Sequence, residues 1–357
     1  MGINVYIEKQ GAPELPYSLV FWPNYRFPIS PKRLFLSEIM EAYEEPFFCI
    51  VDNIEEADFV AVPHEYFFVE TQFPRYLSQV FELAKSVRKK VLLFDYTDWV
   101  DRTAKLPEHA ILFRVSVYRH HKKENEIVMP YFVEDIGDRY KILPREKGEK
   151  PIVGYCGQAQ FGSKTKKFRA VLKRLLSSFL LLLRWDKNPS VHTRGIFWRS
   201  KALRVLRGSS FACNFVERPF YSMHQNGVTV APSQLRHEYV ENLRESDLAL
   251  CVRGDSNTSQ RFYETLSSTR IPLFVDTDCV LPLEEIISYD RVILRVPSRS
   301  VKVLEELVRK WWNQETVESF KEKGEDGLSI YKKYLRLDSF FKVVFDRKNS
   351  PYKKILF

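Results

Sequence analysis

Residues 248–276 read LALCVRGDSNTSQRFYETLSSTRIPLFVD. Leu248–Val252 is apolar throughout, the pattern of a strand buried on both faces. Arg253–Thr258 is a polar turn, Ser259–Arg270 has helical spacing, and Ile271–Asp276 is a second apolar run. Strand, turn, helix and strand in that order make one crossover unit of a parallel sheet. The turn sets Arg253, Gly254, Asp255, Ser256 and Ser259 at the start of the helix. Helix N-termini carry unpaired N–H groups and partial positive charge, and so attract anions. Gly254 lets the backbone come close to a ligand. Arg261 and Glu264 stand three apart and share a helix face. An arginine fork matches phosphate geometry, and a carboxylate accepts from two neighbouring hydroxyls at once. A diphosphate at the helix end and a ribose one turn further in would fit these residues. A capped helix with an i,i+3 Arg–Glu pair is the purely structural alternative.

Upstream and downstream of this unit the chain repeats the same alternation. NVYIE, FFCIV, DFVAVP, KVLLFDY, AILFRV and EIVMPYF read as strands, with helices over Pro31–Tyr43 and Arg75–Lys90. After residue 150 come a strand PIVGYCG, a basic amphipathic helix Lys164–Leu183, a helix Arg194–Leu206, a strand RVILRV, and helices Val301–Trp312 and Thr316–Leu335. Asp138–Lys150 is charged, contains Pro and Gly, and has no apolar periodicity, so it reads as a linker. The expected division is a Rossmann-like acceptor-side domain over 1–137 and a linker over 138–150. A nucleotide-binding domain over 151–340 follows, then a tail over 341–357 that packs back on the first domain. Two such α/β domains face each other across a cleft, where the carboxyl ends of parallel strands place ligands.

A composition of 45% hydrophobic and 28% charged residues excludes a disordered chain. The formal charge of +9 suits anionic partners without choosing among them. No nucleic-acid reading module is present, so nucleic acid is not an expected partner. The five cysteines, Cys49, Cys156, Cys213, Cys251 and Cys279, form no C-x-x-C motif and several lie in apolar runs, which reads as a reducing compartment. MGINVYIEKQ lacks the basic start and apolar core of a signal peptide, and the longest apolar stretch is too short to span a bilayer. The expected location is the cytoplasm, with association at a membrane periphery left open.

Three further groups bear chemistry. His64 and Glu65 end the DFVAVP strand, and Asp95 and Asp98 end the next one, with Tyr96 and Trp99 beside them as sugar-stacking candidates. A strand end facing the cleft is a sensible place for a general base, and an ordinary loop His and Glu is the alternative. Asp276-Thr277-Asp278 is a literal Asp-x-Asp, a pair that elsewhere holds Mg or Mn, but it arises easily in strand-exit loops. No metal or other cofactor is expected. Lys164, Lys166, Lys167 and Arg169 form a basic helix start that could approach a diphosphate or an anionic acceptor, or be a solvated face. His120-His121 cannot share a helix face and reads as a surface turn.

The stretch from 248 to 283 resembles the exostosin family of glycosyltransferases. The family shows a strand, Arg-Gly-Asp-Ser, a Ser-x-Arg-x-x-Glu-Ala helix start, and a strand opening with Ile-Pro. Here these are Arg253-Gly254-Asp255-Ser256, Ser259-Gln260-Arg261-Phe262-Tyr263-Glu264 and Ile271-Pro272, followed by Leu281-Pro282-Leu283. Ala57–Pro63 resembles the family's Ala-Asp-x-Phe-x-Val-Pro strand, and Met129-Pro130-Tyr131 its Ile-Pro-Pro-Tyr segment. Thr269-Arg270 stands where the family has Gly-Cys, and Thr265 where it has Ala. The resemblance implies the glycosyltransferase-B fold and inverting transfer from a nucleotide sugar, with UDP the expected nucleotide. It implies a glycan or lipid-linked acceptor, as in polysaccharide biosynthesis. Arg253, Gly254, Asp255, Ser256, Ser259, Arg261 and Glu264 would bind the donor, with Glu65, His64 or Asp98 as base. The alternative from another class is a non-catalytic glycan-binding or partner subunit that kept the fold.

Overall fold

The computed structural model describes residues 2–24, 36–40, 42–100, 102–183, 194–220 and 230–357. A first parallel sheet is built from β1 (Ile3–Tyr6), β2 (Phe48–Val51), β3 (Phe59–Glu65), β4 (Val91–Asp95), β5 (Ala110–Arg114) and β6 (Glu126–Val128). Its order is β2-β1-β3-β4-β5-β6. The helices of this half are α1 (Leu36–Met40), α2 (Tyr66–Gln72) and α3 (Pro74–Ser86). Of the helix expected over Pro31–Tyr43, residues 31–35 and 41 lie outside the described residues. Period-two alternation sorts the strand side chains. Val60, Val62, Val91 and Leu93 meet Tyr76, Leu77, Val80 and Ala84 of α3, while Phe59, Ala61, Leu92 and Phe94 face the opposite side.

The chain then enters α4 (Ile136–Arg139). Residues 138–150 run between the two sheets, largely exposed but pinned to the second half at two points. Ile136 and Ile142 are buried with Val240, Leu243 and Ala249 of the second half, and Arg145 Nε donates to Asp247 Oδ1 at 2.6 Å. Within 138–150 Ile142 is the one buried side chain, too little to give the charged segment an apolar period.

The second sheet contains β7 (Ile152–Gln158), β8 (Ala212–Arg218), β9 (Leu248–Val252), β10 (Ile271–Asp276) and β11 (Leu294–Pro297), all parallel, in the order β11-β10-β9-β7-β8. Its helices are α5 (Lys164–Leu182), α6 (Gly195–Arg207), α7 (Pro232–Arg244), α8 (Gln260–Ser267), α9 (Leu304–Gln314) and α10 (Val317–Ile330). A π-helical turn over Tyr331–Leu335 leads into α11 (Leu337–Val344), and α12 (Lys353–Leu356) closes the chain. Numbered within its own half, the second sheet runs 2-1-3-4-5, a doubly wound Rossmann-like order whose switch point lies between β7 and β9. The first sheet has the same order with one strand added, and its switch point lies between β1 and β3.

The C-terminal residues pack on the first sheet. The Phe341 ring stands 5.0 Å from Phe48 and 5.9 Å from Phe113, and Phe345 stands 5.3 Å from Phe59. Burying one such ring is worth about 1.5–3 kcal/mol. The largest core cluster therefore joins both halves: Phe94 and Phe113 from the first sheet, Cys251 and Phe274 from the second, and Phe340 and Phe341 from α11.

Candidate active site

The carboxyl ends of the two sheets meet. Ser116 Oγ, just beyond β5, lies 2.6 Å from Asn257 Oδ1, and Asn257 Nδ2 donates to Val117 O at 3.1 Å. Tyr131 Oη and Ser256 Oγ are 3.0 Å apart. Arg253 Nη1 donates to Tyr118 Oη, and Arg119 Nη2 reaches Glu284 at 2.8 Å. The loop after β9 thus forms the second-domain wall of the junction, at that domain's switch point.

Two guanidinium groups line this wall beside β7. Arg261 Nη2 donates to Cys156 O, Nη1 to Leu250 O at 3.4 Å, and the group lies 4.3 Å from the Tyr155 ring centre. It enters beside Gly157, whose φ is +151° and where a Cβ would sit 3.0 Å from Arg261 Nη2. Arg199, from α6, donates to Gln158 O at 3.0 Å and lies beside Gly254. Both guanidinium groups bond carbonyls, and among the described residues neither is paired with a carboxylate. Each also has a buried Nε without a hydrogen-bond partner. An arginine held in place by neutral carbonyls keeps its charge for an anionic ligand.

Glu264 does not pair with Arg261. Its Oε2 accepts from Tyr239 Oη at 2.6 Å, and the Tyr239 ring also lies 5.6 Å from the Arg261 guanidinium. Tyr239 therefore stands between the two, and burial, with Glu264 next, raises its pKa well above that of an ordinary phenol. Among the described residues Oε1 of Glu264 accepts no bond, though the residue is only 5% exposed. The i,i+3 ion pair that would have explained these residues structurally is not formed. Ser259 occupies the N-cap of α8 without a side-chain capping bond, and Asp255 is exposed at the tip of the loop.

On the first-domain side the four candidates have different surroundings. His64 is buried, with Nδ1 3.2 Å from Pro16 O and its ring edge-on to Tyr17, and burial lowers its pKa. These contacts give it a packing role. Glu65 sits at the first sheet's switch point and caps α2, its oxygens accepting from Phe67 N at 3.0 Å and Phe68 N at 2.7 Å. Burial, then the neighbouring Asp95 carboxyl, push its pKa up to about 7 against the pull of those N–H groups. Asp95 is fully engaged: it accepts from Thr97 N and Oγ1 and pairs with Arg114, which also reaches Glu126, with all three charged groups buried. Asp98 has an open side and faces the second domain. Crowding by protein, then the Asp255 charge, raise its pKa, while hydrogen bonds from the Ser256 hydroxyl and N–H oppose the rise. Trp99 beside it is exposed, with the Arg102 guanidinium 4.4 Å from its ring.

The Asp-x-Asp carboxylates are occupied by protein. Asp276 accepts from Cys279 N and from Arg295 Nη1, both at 2.9 Å, and Asp278 bonds His120 across the domain junction. His120 thus lies in a surface turn, as its sequence suggests, but also ties the two halves together. Among the described residues no three His, Cys, Asp or Glu side chains gather as an ion site. Lys164, Lys166, Lys167 and Arg169 are exposed at the start of α5.

The residues missed at sequence level are Arg199, Tyr239, Asn257 and Tyr118, while Tyr131 figured there only within the Met129-Pro130-Tyr131 segment, with no site role. Asn257 lies inside the decisive stretch, and its type in a strand-exit loop was its only signal. Arg199 and Tyr239 carry none, because only the fold brings α6 and α7 to β9.

The Exostosin GT47 domain model matches residues 116–311, which takes in both sides of the domain junction. An "Exostosin-1 homolog" of Caenorhabditis elegans is 30% identical over 117 residues, which make up 31% of this chain and 30% of that protein. The matched segment thus spans under a third of that relative's length. A glycosyltransferase structure from Rickettsia africae aligns with 85% of this chain and 78% of its own, at 11% identity and a TM-score of 0.37. The TarM structure aligns with 82% of this chain and 50% of its own, at 12% identity and a TM-score of 0.34.

Proposed function

The chain belongs to the exostosin family of glycosyltransferases, with two Rossmann-like sheets in the glycosyltransferase-B manner, and on that premise we propose that it transfers a sugar from a nucleoside diphosphate donor, with inversion, to a glycan or lipid-linked acceptor. The observation that carries this reading is the pair Arg199 and Arg261, held by carbonyls and, among the described residues, without carboxylate partners, at the switch point of the second sheet. The diphosphate lies against these groups and the start of α8. Arg261 meets the oxygen on which negative charge grows as the sugar–phosphate bond breaks, so its hydrogen bond strengthens in the transition state. The Glu264 Oε1 accepts from the ribose. UDP is the nucleotide expected.

Inversion needs a base that takes the acceptor hydroxyl's proton as its oxygen attacks the anomeric carbon from the face opposite the leaving diphosphate. Asp98 is the candidate of the first domain that touches the donor loop, and we assign it this role. Its raised pKa suits it to hold a proton after transfer. A second reading, with Glu65 as base, is favoured by its pKa of about 7 and its place at the first sheet's switch point. The donor site does not depend on a metal in this account, since Asp276 and Asp278 already have protein partners.

A thermal-shift panel of uridine, guanosine, cytidine and thymidine diphosphates tests the donor assignment. A ligand at a hundredfold excess over Kd raises stability by about 2.7 kcal/mol. One nucleotide should stand out, and a flat panel would sink the reading. Turnover of the matching sugar donor by Asp98→Asn and Glu65→Gln then separates the two bases. The true base variant should lose about 10²–10⁴ in kcat with donor affinity kept. Parent protein that binds donor without turnover on any glycan or lipid-linked acceptor would favour the non-catalytic alternative.

A further inference from the structure

Helix α5 presents its apolar face to solvent. Phe168, Val171, Leu172, Leu175, Leu176 and Phe179 recur at three- and four-residue intervals and so form one stripe. A stripe of this kind ordinarily packs on the core. Here Phe168 is 69% exposed, Leu175 62% and Phe179 55%, whereas the small Ala170, on the opposite side of the helix, is 7% exposed. Among the described residues of this helix Ala170 is the buried one, and the large apolar side chains Phe168, Val171, Leu172, Leu175, Leu176 and Phe179 are exposed. Monomeric soluble proteins rarely leave contiguous apolar patches of this extent uncovered.

The charge on the helix indicates what covers the stripe. Lys164, Lys166, Lys167, Arg169 and Lys173 are exposed around it, and the segment 164–182 contains neither Asp nor Glu. At 100° per residue Arg169 and Lys173 fall to one side of the stripe and Lys167 to the other. Long basic side chains flanking an apolar face reach outward to anionic headgroups while their stems remain in the apolar boundary. No helix among the described residues is long and apolar enough to cross a membrane, so this one would lie along it.

We propose that α5 docks the protein on an anionic lipid bilayer, its Phe168–Phe179 stripe in the acyl boundary and its cations against the headgroups. The helix follows shortly after β7, whose end carries the Cys156 carbonyl that holds Arg261. Docking would therefore bring the cleft near the bilayer surface, as a lipid-linked acceptor requires. That last link rests on the proposed transferase activity; the docking itself does not.

Cosedimentation with vesicles of phosphatidylcholine plus phosphatidylglycerol, against phosphatidylcholine alone, tests it. The parent should bind the anionic vesicles, and added salt should weaken binding. The Phe168→Ser, Leu172→Ser, Phe179→Ser triple variant should lose on the order of a hundredfold in vesicle affinity. Lys166→Glu, Lys167→Glu, Arg169→Glu should lose about tenfold or more. All six side chains are exposed, so both variants should fold, and an unchanged circular dichroism spectrum and urea midpoint would verify it independently. Three results would overturn the proposal: a parent that ignores both vesicles, variants that bind like the parent, or equal binding to neutral and anionic vesicles. A concentration-dependent dimer abolished by the serine changes, without vesicle binding, would name a second copy as the occupant and overturn it too.

Discussion

Gly195→Ala is expected to damage the donor site from behind. Gly195 opens α6, and its Cα lies against the loop after β9. A Cβ there would stand 2.1 Å from Arg253 O and 2.3 Å from Gly254 O, both backbone atoms. Neither atom can swing aside as a side chain would, so the loop or the helix must move by on the order of 1 Å, and such overpacking costs about 1–3 kcal/mol. That leaves most of a typical 5–15 kcal/mol stability, so the variant should fold. The displaced carbonyls are those of the donor loop, and α6 also carries Arg199. A shift of about 1 Å in positioning groups can cost up to a hundredfold in rate, and donor affinity should fall about tenfold. Urea unfolding measures the stability change and calorimetric titration with UDP the affinity. Gly208→Ala at the other end of α6 is the control, since the nearest atoms to its added Cβ would be at 3.6 Å. The reasoning fails if Gly195→Ala matches Gly208→Ala in both measurements.

Arg261→Ala should weaken UDP binding and lower kcat together, whereas Glu264→Gln should act mainly on affinity. A hydrogen bond to a charged group is worth about 1.5–3 kcal/mol, so tenfold to a hundredfold losses are expected in the titration. Arg261→Ala also leaves the Cys156 carbonyl unpaired, so its folding must be verified by circular dichroism. Glu65 carries a prediction about pH. Its folded pKa of about 7 lies above the unfolded value of an ordinary carboxyl, so it adds stability at low pH that is lost as pH rises through 7. Glu65→Gln should remove that dependence, gaining about 2 kcal/mol relative to the parent between pH 5 and pH 8 in urea titrations. A constant difference would refute the shift. UDP binding should survive EDTA, because Arg295 and His120 occupy the Asp276 and Asp278 carboxylates. Loss of binding in chelator, restored by Mg or Mn, would contradict this.

The parallel strands were legible wherever both faces are buried. The runs at β4, β9 and β10 are unbroken and apolar, and each became a central strand. β8 escaped because it is a half-exposed edge strand whose Asn214 and Glu217 interrupt any apolar pattern. The donor loop was visible because Arg261 and Glu264 share one helix, and local spacing is what a sequence displays. Their actual separation by Tyr239 was hidden, since α7 arrives from elsewhere in the chain. The same limit hid Arg199, and it hid the junction of Tyr118 with Arg253. For α5 the amphipathic period was plain, but a period does not say which face turns outward. Glu65 could be placed at a strand end, yet its raised pKa depends first on burial and then on Asp95 of the adjacent strand, both of which only the folded chain supplies.

The central claim is that Arg199 and Arg261 hold a diphosphate, and the most direct measurement is a calorimetric comparison of UDP, UMP and uridine on one preparation. The account predicts that affinity follows phosphate number. UDP should bind at least about tenfold more tightly than UMP, since the second phosphate adds a charged hydrogen bond, and uridine should bind most weakly. The Arg199→Ala, Arg261→Ala double variant, once shown to be folded, should lose this gradient. Equal affinities for UDP and uridine, or a gradient that survives in the double variant, would contradict the assignment.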